Sequence, residues 1–162
     1  MTLKSSFKAG IGFGLTSGVI TTLGLMIGLY AGTHLKFAVI GGILMIAFED
    51  AFADALGIHI SREAEVKYSN KSVWEVTFIT FFTKLIIALS FLIPVLLFNL
   101  QNAIIISVFW GFLLLTLFSF KIALERKANA FKIVFEHLII AIIVIIITYY
   151  LGKFISGFFG VV

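Results

Sequence analysis

The chain has no cysteine, one proline and only eight acidic residues in 162 positions, and each shortage removes a class of protein. Without cysteine there are no disulfides, no thiolate metal ligands and no redox-active thiol. With Pro94 as the only proline, long helices can run unbroken, and a kink is expected only near the outer end of the third apolar stretch. Charged residues make up 12% of a chain that is 61% hydrophobic with a mean hydropathy of +1.17, too little polar surface for a soluble domain. The phosphate-binding Gly-rich loop, His-Glu-x-x-His and His-x-x-Glu-His patterns are missing as well, and no enzymatic activity is expected. The net charge of +4 is no nucleic-acid signature, because most cations sit at the ends of apolar runs, where a membrane protein uses them for orientation.

What is present is apolar helix. Five stretches, at about 9–31, 35–58, 73–98, 102–124 and 130–158, are each long enough to cross a bilayer, which predicts one all-α integral membrane domain over residues 1–162. The run after Lys8 is too long for a signal-peptide core, so it is expected to be a retained first helix. Arg62, Lys67, Lys71, Arg126 and Lys127 lie in two connections, while the others are nearly free of cations. By the positive-inside rule the N-terminus is cytoplasmic and the C-terminus outside, with Lys36 and Lys153 outvoted. No strong breaker separates Ile58 from Tyr68, so the second helix is expected to extend to about residue 66, with Asp50, Asp54, Ser61 and Glu65 on one face at about 100° per residue.

Glu49, Asp50 and Asp54 are the most informative residues. A carboxylate at bilayer depth costs about 2.5–3.5 kcal/mol, so three together call for a positive partner. Three readings stand. The carboxylates ligate a divalent cation, with further oxygens from another helix or subunit, since one helical face offers only two. Alternatively they carry protons. In the third reading they form an internal ion pair with Lys84, whose flexible stem reaches Glu49 or Asp50 from the third span.

The first helix carries glycines at four-residue spacing, Gly10-Gly14-Gly18 and Gly24-Gly28-Gly32, which suits close helix packing; Ser17 and Thr21 share their face and could line a hydrated path. Glu136 and His137, about a turn inside the last span, could ligate a metal, but Lys132 at i−4 also offers Glu136 a simple pair. His59 falls about 140° from Asp54 and off its stripe, and Met26 and Met45 are expected to pack.

Four segments, in order, resemble the vacuolar iron transporter family. The run Gly14-Leu15-Thr16-Ser17-Gly18-Val19-Ile20-Thr21-Thr22-Leu23-Gly24-Leu25 is similar to that family's first-helix segment. The stretch from Ala53-Asp54 through Ser61-Arg62-Glu63, the Leu92-Ile93-Pro94-Val95-Leu96-Leu97 run and the Thr148-Tyr149-Tyr150-Leu151-Gly152-Lys153 ending follow in step. The resemblance implies a five-helix protomer, a homodimer with the path between subunits, and export of Fe²⁺ or Mn²⁺ from the cytosol by proton antiport. The metal is cargo and no resident cofactor is implied. The family's second-helix glutamate falls on Asp54 and its methionine on Asp50, which makes the site richer in oxygen and more favourable to Mn²⁺. Ser17 stands where the family has an aspartate, and the cytoplasmic metal-binding domain is reduced to about ten residues. The expected sites are therefore Asp50, Asp54 and Glu49 for metal, with Ser17 and Thr21 lining the path and Glu63 and Glu65 at the cytoplasmic entrance. Lys84 and Glu136 are candidates for pairing or proton coupling, and Gly10, Gly14, Gly18, Gly24 and Gly28 for the dimer interface. The expected location is a prokaryote-like plasma membrane. The rival reading is a membrane scaffold that keeps this fold without transporting, and a weaker one is a carrier for another cation or small amine.

Overall fold

The computed structural model describes the backbone of residues 3–160 and the side chains of residues 6–160. The chain folds into helices α1 (Leu3–Thr33), α2 (Lys36–Glu63), α3 (Asn70–Ser90), α4 (Leu92–Leu97), α5 (Leu100–Arg126) and α6 (Ala130–Phe159), with no strand among the described residues. Three of them start where a polar side chain relieves an unpaired backbone N–H. Ser69 accepts from the Ser72 amide, Asn99 from the Asn102 amide and Asn129 from the Lys132 amide. The stop between α1 and α2 is abrupt: His34 takes a positive φ of 53°, and the Thr33 hydroxyl accepts from the Leu35 amide.

The third expected helix is interrupted, as its proline foretells. α3 closes on Phe91, whose N–H turns to the carbonyls of Ala88 and Leu89, and α4 resumes the path across Pro94. Pro94 has no N–H to offer the carbonyl four residues back, at Ser90. The Ser90 hydroxyl instead donates to the Ile87 carbonyl and receives the Trp110 indole N–H.

The expected extension of α2 to about residue 66 needs correction, because the helix ends at Glu63. The Glu65 amide bonds to the Arg62 carbonyl and the Tyr68 amide to the Glu65 carbonyl, a tight turn in place of another helical turn. Helix propensity permitted continuation, but only six residues separate α2 from α3, and the chain must reverse within them.

Contacts fix the arrangement. Ser6 meets Ser72, and Gly10 and Gly18 lie against Ile79 and Ile87, so α1 and α3 run parallel. Gly24, Gly28 and Gly32 lie against Val144, Thr148 and Gly152, so α6 is parallel to α1 as well. The pairs Asp54–Lys84, His59–Thr77 and Ser119–His137 show that α2 and α5 run the other way. α1 is thus the central helix, touching α2, α3, α5 and α6. Val19, Leu23 and Met26 of α1 are buried in the core with Ile43, Phe91 and Leu115, and Met26 packs as its apolar surroundings require.

The two ends of the bundle differ. Connections 64–69 and 127–129 lie at the same end as the start of α1, and connections 34–35 and 98–99 at the other. Lys67 and Lys127 mark the first as the basic end. Four helical segments, Ser6–Thr33, Asn70–Leu97, Leu100–Arg126 and Ala130–Phe159, are long and apolar enough to cross a membrane. α2 matches them in length, but Glu49, Asp50 and Asp54 interrupt its apolar run.

Candidate functional site: a lysine held between two aspartates

Asp50 and Asp54 are four residues apart on α2, so they lie one above the other on the face that meets α1 and α3. Opposite them, Lys84 of α3 is 1% exposed, and its ammonium stands between the two carboxylates. Nζ is 2.6 Å from Asp50 Oδ2, in close contact with Asp54 Oδ2, and donates to Ser17 Oγ at 2.8 Å. Ser17 in turn donates to Asp54 Oδ2 at 2.6 Å, so its single hydroxyl accepts from the cation and serves the anion. Asp50 Oδ2 lies off the direction of any hydrogen bond, so its contact with Lys84 is an ion pair without a directed proton.

The depth of this cluster follows from counting. Ser17 lies 14 residues from the start of α1 and 16 from its end; Lys84 lies 14 from Asn70 and 13 from Leu97. At a rise of about 1.5 Å per residue, the cluster is roughly 20 Å from either end of the bundle. With all three groups ionised, it carries one net negative charge.

Two lateral grooves approach this level from opposite halves. The larger, about 670 Å³, lies beyond the cluster from the basic end and is lined by Gly24, Gly28, Gly32 and Thr148; its inner residues Thr21 and Ile46 are one turn from Ser17 and Asp50. The smaller, about 360 Å³, lies between α2 and α3 in the basic half, and its lining residue Ala55 adjoins Asp54.

Other expected site residues are placed elsewhere. Glu49 is not brought to Asp50 and Asp54: the next position on a helix turns by about 100°, and its side chain is exposed on the outer face of α2. Among the described residues, no three His, Asp or Glu side chains converge as a metal site would require. Thr21 gives its hydroxyl to the Ser17 carbonyl, although the residue still lines the larger groove. At the basic end, Glu63 is exposed 3.9 Å from His59 Nε2, and Glu65 pairs with Lys67 at 2.5 Å. The Glu65 carboxylate raises the pKa of Lys67 through that hydrogen bond first and through its charge second. Glu136 is exposed 3.9 Å from Lys132, and His137 shares a hydrogen bond with Ser119.

The glycines expected at a dimer interface seat helices of the same chain. A Cβ on Gly10 would lie 2.8 Å from Ile79 Cγ2, and one on Gly14 would lie 2.8 Å from the Thr80 carbonyl. Gly18 meets Ile87, Gly24 meets Val144 and Gly28 meets Thr148. Close approach is the common physical demand of both interface types, and the glycine spacing does not name the helix it serves.

Sequence reasoning passed over Glu75 and Thr80. Each has a buried side-chain oxygen without a hydrogen-bond partner, and Thr80 lies one turn before Lys84. An acid just inside an apolar run was the available signal for Glu75. Against family models, curated proteins and solved structures the chain finds no match, so its likeness to the vacuolar iron transporters rests on the segments quoted above.

Proposed function

We propose that the protein is a membrane transporter for a divalent transition-metal cation, Fe²⁺ or Mn²⁺, exporting it from the cytosol in exchange for protons. The observation that carries this reading is the mid-helix carboxylate pair that already clasps a cation, the Lys84 ammonium, between grooves entering from opposite halves. Asp50 and Asp54 are the ligands, Ser17 contributes its hydroxyl, and Lys84 is the resident cation that the metal displaces. Such an all-oxygen set favours Mn²⁺ among these ions. Water or a second copy of the chain completes the coordination, in keeping with a homodimer.

A second reading has its own observation. The Lys84 ammonium donates to Ser17 and Asp54 and pairs by charge with Asp50, which is how a purely structural ion pair is built. On this reading the protein is a membrane scaffold with no cargo.

Thermal stability of the purified protein, titrated with Mn²⁺, Fe²⁺, Zn²⁺, Co²⁺, Mg²⁺ and Ca²⁺, separates the two. A metal that binds the folded state adds RT ln(1 + [L]/Kd) of stability, so the transporter reading requires a concentration-dependent shift with Mn²⁺ or Fe²⁺ that Asp50→Asn/Asp54→Asn abolishes. No shift with any ion favours the scaffold.

A further inference from the structure

Glu49 lies 13 residues from Lys36 and 14 from Glu63, at the middle of α2, and is exposed beside Phe48, Met45 and Phe52 on an apolar face. No hydrogen bond or ion pair reaches it among the described residues, and the one buried cation at its level, Lys84, is on the other side of the helix with Asp50 and Asp54. An outward carboxylate at this depth is costly unless a positive partner meets it, so it marks a candidate site.

The surface next to it has the matching chemistry. Three residues on, Phe52 borders the groove between α2 and α3 of about 360 Å³, near the lower limit for small-molecule sites. Its walls are aromatic: Phe52 meets Phe81 at a tilt with 4.7 Å between ring centroids, Phe81 meets Phe82 at 5.2 Å, and Trp74 lies 5.6 Å from Phe78 and 4.6 Å from the His59 ring. Phe52, Trp74, Phe78 and Phe82 are all more than half exposed, so these rings are open to an incoming ligand. Aromatic faces attract cations that carry little hydration, and a carboxylate beside them sets the sign of the charge accepted.

We propose that this groove, with Glu49 at its mid-helix end, binds a hydrophobic organic monocation of the quaternary ammonium or phosphonium class that enters from the bilayer. A hydrated metal ion does not fit here, because Glu49 is a lone oxygen donor facing apolar surroundings. The inference is independent of the metal reading of Asp50 and Asp54.

The test uses the whole protein in lipid nanodiscs carrying Trp110→Phe, so that Trp74 alone reports by fluorescence, with tetraphenylphosphonium as probe. Saturable quenching that weakens by about tenfold or more in Glu49→Gln and is retained in Glu49→Asp supports the site. Tetraphenylborate, of similar shape and opposite charge, should quench without saturation. Should both ions quench linearly, only partition into lipid is seen and the proposal falls. Saturable quenching of equal strength in wild type and Glu49→Gln overturns it too, since the carboxylate then plays no part. A third result, no phosphonium binding together with Glu49-dependent dimerisation by light scattering, also overturns it by giving Glu49 to a second copy of the chain. If Glu49→Gln does not fold, Phe81→Leu/Phe82→Leu removes the aromatic walls and must weaken binding by a similar factor.

Discussion

Replacing Lys84 with methionine isolates the interaction on which the site turns. The substitution keeps an unbranched apolar stem, one heavy atom shorter overall, but removes the charge between Asp50 and Asp54. Two unit charges 4 Å apart attract by about 4 kcal/mol at an effective dielectric of 20, and desolvating the groups offsets much of that gain. Removing one partner is another matter, because the desolvation remains and the attraction does not. The carboxylates are only 23% and 20% exposed, so the expected loss is the 3–5 kcal/mol typical of an orphaned buried charge, about 6–20 °C in melting temperature for a chain of this size. Reversible unfolding in mixed micelles, with light scattering to exclude aggregation, measures it. Adding Asp50→Asn and Asp54→Asn to Lys84→Met should recover most of the loss, since a neutral cluster leaves no unpaired charge. A single substitution costing under about 1 kcal/mol, or a triple variant no better than the single, would refute the claim that these charges depend on one another.

Ser17→Ala removes a hydroxyl that bonds to both Lys84 and Asp54, and should cost about 1.5–3 kcal/mol in the same unfolding assay. Gly152→Ala drives a methyl into the Gly28 carbonyl where α1 and α6 touch, and should cost about 1–3 kcal/mol; Gly157→Ala, with nothing within 4 Å, should melt no lower than wild type. Exchanging the charges in Lys84→Asp/Asp50→Lys should preserve folding by circular dichroism if the cluster is only structural, whereas retained folding with lost Mn²⁺ stabilisation identifies a metal site.

Much of the fold was legible because apolar runs bounded by short polar links leave few alternatives to helices. The interruption at Phe91 was legible from Pro94, and the pairing of Lys84 with an α2 carboxylate from depth alone. Other features depend on tertiary neighbours. The spacing Gly10-Gly14-Gly18 signals close approach, yet only the folded chain assigns it to α3. The end of α2 at Glu63 depends on where α3 begins, a matter of six residues that local helix propensity does not register. Glu49 was grouped with Asp50 by adjacency in sequence, although one helical step of about 100° already separates their faces. Asp54 was a candidate from the sequence, but its partners on α1 and α3 become visible only once both helices lie parallel beside α2.

The separation of Glu49 from Asp50 bears on what the acidic residues can do. Three carboxylates lie within about one and a half turns of α2, and Lys84, the one buried lysine among the described residues, can neutralise only one. Lys84 is committed to the inner pair, which leaves one unbalanced charge inside the bundle and another on its outer face. A single metal between Asp50 and Asp54 answers the first and does nothing for the second, because α2 itself stands between them. On the two proposals above, the deficits are met by different cations arriving by different routes. Glu49→Gln should leave any Mn²⁺ stabilisation intact, and Asp54→Asn should leave phosphonium quenching of Trp74 intact. If either substitution abolishes both responses, α2 does not insulate its two faces and the acidic residues act as one site.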